Sequence, residues 1–154
     1  MGKIDDRLNE LGVEIPTPAA PVANYLGWVR TGNLVFTAGQ VTIKDGEFLH
    51  IGKVGAEISP EEANEAARLC AINIIAQVKQ ASDGDLDRVK RIVKLVGFVN
   101  GTPDFTGHPG VINGASDFMV EVFGDKGKHA RSAVGAGSLP LNIAVEIEAV
   151  VEVE

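Results

Sequence analysis

Cysteine is almost missing from this chain: Cys70 is the only one in 154 residues, so no internal disulfide can form. The three histidines, at positions 50, 108 and 129, lie far apart with no second cysteine beside them, and no metal-ligand set is expected. Long hydrophobic runs are missing as well. Nothing approaches the ~20 apolar residues of a membrane-spanning helix, and Met1 to Glu10 carries only scattered apolar residues, so neither membrane insertion nor export is expected. Positive charge is in deficit, with 14 Lys and Arg against 21 Asp and Glu and a formal net charge of −7. Such a field repels polyanions and argues against a nucleic-acid partner. These absences together predict a reduced, metal-free cytoplasmic protein.

What remains is an ordinary globular mixture. Hydrophobic residues make up 45% and charged residues 23%, enough apolar material to give one domain of this length a real core without a staple. Lys3 to Leu11 reads as a short helix stopped by Gly12, and Pro16, Pro18 and Pro21 then impose an extended path. Residues 1–24 are therefore expected to form an arm lying on the surface of a domain that spans 25–154. Leu26 to Val29 and Leu34 to Val41, separated by Thr31-Gly32-Asn33, suggest a hairpin, and Asp45-Gly46 turns the chain into another short strand at Glu47 to Ile51.

Ser59, Pro60 and Glu62 open the clearest helix with a capping box, and its apolar stripe runs through Cys70 to Val78. Cys70 on that stripe is expected to be core rather than a nucleophile. Lys90 to Val99 is apolar on both faces and reads as a central strand. The basic residues Arg88, Lys90, Arg91 and Lys94 alternate with Val89, Ile92 and Val93, a pattern that would disperse them over both faces. A second helix starts near Pro109 and ends at Gly124. From Ile143 to Glu154 apolar and mainly acidic positions alternate, the signature of a strand with one buried face. Two helices among strands with hairpins early and late predict an α+β domain in which both helices cover one face of a mixed sheet.

Chemistry is concentrated near the C-terminus, where Arg131 precedes Gly135 to Gly137, Leu139-Pro140 and the alternating strand that carries Glu146. If the two strands pair as a hairpin, guanidinium and carboxylate approach one cleft. An arginine fork binds a carboxylate through two parallel hydrogen bonds, and a glutamate orients water or moves a proton. The blocks "GNLVFTAGQV", the Ala-rich helix, "INGASDFMVEVFG" and "ARSAVGAGSLPLNIAVEIEAV" follow one another in the order found in the RidA (YjgF-like) family. From Tyr25 onward the chain resembles that family over most of its length.

The resemblance implies a chorismate-mutase-like fold and a homotrimer with ligand sites in the clefts between subunits. It also implies hydrolysis of reactive 2-imino acids or their enamine tautomers to 2-keto acids and ammonia, without a cofactor. It gives Arg131 the substrate carboxylate and Glu146 the attacking water, and it places Tyr25, Gly39, Asn113 and the backbone of Ala133 at the ligand. Gly39 has the alternative of relieving crowding in a strand, Tyr25 of packing after the proline arm, and Asn113 of a solvated helix position. Ala133 stands where many relatives have a cysteine, and Gly135 where the residue is often acidic or bulkier. Two other functions share the pattern. One is a non-catalytic trimer binding a small carboxylate, and the other is the endoribonuclease or translation inhibitor whose name is often attached to the family.

Overall fold

The computed structural model describes residues 2–154, and its first element is helix α1, Lys3–Glu10. The helix ends as expected: Val13 N–H reaches back to Leu8 O at 2.9 Å and Gly12 N–H to Asn9 O at 3.0 Å, with Gly12 at φ 69°. This is the Schellman closure, in which a left-handed residue lets the chain satisfy the last carbonyls. Helix α1 packs onto the rest of the chain. Leu8 is buried, Lys79 pairs with Asp5 at 3.0 Å, and the N–H groups of Ile4 and Lys3 each donate to Asp87 at 2.9 Å. Those two backbone hydrogen bonds hold the Asp87 carboxyl below the usual carboxylate range, and the carboxylate in turn caps the helix.

After the extended proline segment come β1, Trp28–Thr31, and β2, Leu34–Thr37, an antiparallel hairpin with Thr31 opposite Leu34. The short strands β3, Ile43–Lys44, and β4, Glu47–Phe48, form a separate small hairpin. Helix α2 spans Pro60–Ala81. Ser59 accepts the Glu62 N–H at 3.1 Å, but the Glu62 carboxylate lies 3.2 Å from His50 Nδ1. Only half of the predicted capping box is thus made, because a partner distant in sequence takes the other half. Cys70 is fully buried on this helix, and burial pushes its thiol far up, as befits a core residue.

The remaining elements are β5, Val89–Asn100, α3, His108–Phe123, β6, Ala130–Ala136, and β7, Val145–Val153. The strand order in the five-stranded sheet is β1-β2-β7-β5-β6, with β5 and β6 parallel and the other pairs antiparallel. Val145, Ile147, Ala149, Val151 and Val153 are buried against the helices, while Glu146, Glu148, Val150 and Glu152 face the open side, as the alternation predicts. No helix among the described residues is long and apolar enough to cross a membrane.

Two expectations fail in physically informative ways. β6 and β7 do not pair as a hairpin, because the central strand β5 lies between them. The basic residues of β5 are not dispersed over both faces either. Register shifts between Val89 and Arg91 and between Ile92 and Lys94 each insert an extra residue and reset the alternation. As a result Lys90, Arg91 and Lys94 are all exposed, while Val89, Ile92 and Leu95 are all buried. Acidic neighbours face them: Arg91 lies opposite Glu152, and Lys90 Nζ is 3.8 Å from the Glu154 carboxylate.

Candidate functional site

The residues singled out by the sequence gather into two groups on opposite faces of the sheet. Arg131 stands in one row with Leu95 and Ala149, both buried against the helices. Its side chain therefore leaves edge strand β6 on the helix side, where Nη1 donates to Ser116 Oγ at 3.0 Å and Nη2 to Pro109 O at 3.4 Å. Positions 109, 113 and 116 lie on one face of α3, so the exposed Asn113 sits between the two groups that Arg131 touches. Ala133, two residues along β6, points to the same side and packs against the core. Arg131, Asn113 and Ala133 thus form one group.

Glu146 belongs to a different row. It stands opposite Phe98, which stands opposite Val134, and this row faces the open side. Gly39, just beyond β2, lies directly over the Glu146 side chain. A Cβ at position 39 would come within 2.9 Å of the Glu146 carboxyl carbon and 3.2 Å of its Cγ. Gly39 has no left-handed backbone requirement, so it is the close approach that calls for glycine here. Burial, and secondarily the charge of Glu148, raises the Glu146 carboxyl above the ordinary range. Among the described residues Glu146 has no hydrogen-bond or ion-pair partner. Tyr25, 58% exposed on the segment leading into β1, is hydrogen-bonded to neither group.

The contact between Gly39 and Glu146 gives a direct expectation. Gly39→Ala should push the carboxylate outward into water and lower its pKa back toward the usual value, because desolvation is the main cause of the rise. Side-chain NMR titration of the glutamate carbonyl carbons measures this. An unchanged titration would mean that Gly39 does not shape the Glu146 environment.

Two residues of the arginine group are not legible as site residues in the sequence. Ser116 binds Arg131 directly, and His129 bonds to Ser116 at 2.9 Å. The only sequence signal is spacing: Ser116 is one helical turn beyond Asn113, and His129 is one strand repeat before Arg131. A depression of about 490 Å³ under the proline arm, lined by residues that include Pro18, Pro21, Trp28 and Gln77, contains neither Arg131 nor Glu146.

With that geometry in place, known proteins supply the context. A family model described as "YjgF/chorismate mutase-like, putative endoribonuclease" matches residues 5–153. Protein TCP17 of Trypanosoma cruzi is 45% identical over 152 residues, covering 98% of this chain and 94% of that protein. The crystal structure of Atu1372 from Agrobacterium tumefaciens, a protein of unknown function, superposes with a TM-score of 0.92 at 46% identity, covering 98% of this chain and 92% of that one. A more distant relative, the 2-iminobutanoate/2-iminopropanoate deaminase of Dermatophagoides farinae, is 28% identical over 142 residues, covering 91% of this chain and 95% of that protein. The mixed sheet with its helices, the order of the sequence blocks and these matches agree: the chain belongs to the YjgF/chorismate mutase-like family and has its fold.

Proposed function

We propose that this protein hydrolyses 2-imino acids, or their enamine tautomers, to 2-keto acids and ammonia in clefts shared between copies of a homotrimer. One copy provides Arg131, Asn113 and Ala133, and the next provides Glu146, Gly39 and Tyr25. The observation that carries this reading is the separation itself. A guanidinium held by Ser116 and a partly buried, unpartnered carboxyl stand on opposite faces of one chain's sheet. Arg131 stands on the edge strand β6 and Glu146 on the open face of the sheet. In the proposed trimer that edge lies against the open face of the next copy, so that the two groups share one cleft.

The chemistry then follows from the groups. The Arg131 fork takes the substrate carboxylate and fixes the imine carbon beside Glu146. Glu146 removes a proton from water as the water oxygen bonds to the imine carbon, and passes that proton to the nitrogen to give the neutral carbinolamine. Glu146 then takes the carbinolamine hydroxyl proton and delivers it to the amino nitrogen as the carbon–nitrogen bond breaks and the carbonyl forms. Ammonia and the keto acid leave with Glu146 ionised again. The raised pKa of Glu146 suits both directions of transfer. Backbone groups near Gly39 and Ala133 orient the nitrogen and the water. The imine carbon is already electrophilic, so the reaction needs no cofactor. A distant relative that carries a deaminase name supports the same chemistry. The net charge of −7 and the acidic partners of the β5 basic residues weigh against an RNA substrate.

Subunit mixing tests the proposal. Arg131→Ala and Glu146→Gln are each expected to release ammonia from enzymatically generated 2-imino acids at no more than about a hundredth of the unmodified rate. Co-refolded in equal amounts, they should regain activity, because random assortment makes about a quarter of the clefts intact. A mixture that stays inactive would rule out a site shared between copies. Keto-acid binding without ammonia release by the unmodified protein would identify a carboxylate-binding protein rather than an enzyme.

A further inference from the structure

Arg131 is held by more than its own strand. Its Nη1 lies 3.0 Å from Ser116 Oγ, that oxygen lies 2.9 Å from His129 Nε2, and His129 Nδ1 lies within 2.6 Å of Gly127 O. For a neutral imidazole, the donors and acceptors permit one arrangement. Guanidinium only donates, so Ser116 Oγ accepts from it. A carbonyl only accepts, so His129 carries its proton on Nδ1. Nε2 is then an acceptor and takes the single hydroxyl proton of Ser116. The hydrogen bonds run head to tail from arginine to serine to histidine to carbonyl, the arrangement in which each bond polarises the next.

The far end of this line is anchored in the backbone. Gly127 is buried against α3, where an added Cβ would lie 2.6 Å from the Met119 carbonyl carbon and 2.9 Å from Val120 Cα. The turn that presents the accepting carbonyl is therefore packed directly against the backbone of α3. Ser116 sits on α3 itself, as does Pro109, whose carbonyl accepts from Arg131 Nη2, so both groups that touch the guanidinium directly belong to one helix. An unsupported arginine samples many rotamers and gives them up on binding, whereas a supported one has its fork already aimed.

We infer that Ser116 and His129 are positioning residues that preorganise the Arg131 guanidinium as a carboxylate fork, an inference that rests on Arg131 being the carboxylate anchor. They do not touch the substrate. Their effect passes through Arg131, so the two must act in series.

The test uses the full chain in its native assembly and 2-oxobutanoate as a non-reactive probe, titrated by calorimetry, with imine hydrolysis measured in parallel. Ser116→Ala and His129→Phe are each expected to weaken binding about tenfold, the size of one hydrogen bond to a charged group. The double variant should bind no more weakly than Ser116→Ala, because removing the serine already disconnects the histidine. Ser116→Thr, which keeps the hydroxyl, should bind within about threefold of the unmodified protein. KM should rise with the loss of binding while kcat holds, since an anchor acts on ground and transition states alike.

The outcomes are separable. If Ser116→Ala binds normally while Arg131→Ala abolishes binding, the positioning inference is overturned and the anchor stands. If Arg131→Ala binds 2-oxobutanoate as well as the unmodified protein, the anchor is wrong and the inference falls with it. Lowered melting temperature without a change in binding would reduce both residues to structural supports, which also overturns it.

Discussion

Glu146→Gln is expected to slow imine hydrolysis by about a hundredfold to ten-thousandfold, the usual contribution of a positioned general base, while 2-oxobutanoate binds almost as before. Glutamine keeps the size and hydrogen-bonding capacity of the side chain and removes only its proton-transfer role. Parallel measurement of ammonia release and of keto-acid binding by calorimetry checks the split. Hydrolysis at the unmodified rate would move the water-directing role to backbone groups or to another acidic residue at the cleft.

The same substitution has a signature in stability. Burial, with the neighbouring Glu148 charge, raises the folded-state pKa of Glu146 above its unfolded value. Between the two values the folded protein holds more protons than the unfolded chain, so Glu146 makes stability fall as pH rises from the ordinary carboxylate range through the raised pKa. Above that window the ionised group is a standing penalty. Glu146→Gln removes it and should melt higher than the unmodified protein at neutral pH, with the difference shrinking in acid. Loss of activity together with a gain in stability is the pattern of a functional group kept against its folding preference.

Arg131 should behave in the opposite way, failing at binding. Arg131→Lys keeps the charge but not the planar fork and is expected to weaken 2-oxobutanoate about tenfold to a hundredfold, corresponding to about 1.4–2.7 kcal/mol. Arg131→Ala should weaken it further, since no cation remains to meet the carboxylate. Calorimetric titration of both variants against the unmodified protein measures the series. Equal binding by the lysine variant would show that charge alone suffices and that the two-pronged geometry contributes nothing.

How much of this was legible beforehand depends on the range of the interaction concerned. Local patterns read correctly. Gly12 stops α1, Ser59 caps α2, Gly32-Asn33 turns a hairpin, and the alternation from Ile143 to Glu154 marks one buried face. Each depends on residues within a few positions of one another, where backbone geometry leaves few choices. Where a distant partner intervened, the reading went astray. The capping box was only half made because His50 draws the Glu62 carboxylate away, and the basic residues of β5 share one face because two bulges reset the strand. A bulge is set by the neighbouring strand's register and leaves no mark in the alternating pattern itself.

The candidate site divides along the same line. The types of residue that could bind a carboxylate and move a proton, Arg131 and Glu146, were legible from side-chain chemistry and motif order alone. Their relation to each other was not, because adjacency in sequence suggested a hairpin while the fold inserts β5 between β6 and β7. Only the tertiary structure could put Arg131 on the helix side and Glu146 on the open side, since facing depends on which strand each one pairs with. Only the packing of α3 against β6 could bring Ser116 and His129 to the guanidinium, and only the fold of the chain beyond β2 could press Gly39 onto Glu146. Sequence by itself determined the elements, the buried stripes and the chemistry available, all of which follow from short-range geometry and side-chain type. Which groups meet was decided by strand order and register, because those arise from contacts between residues far apart along the chain.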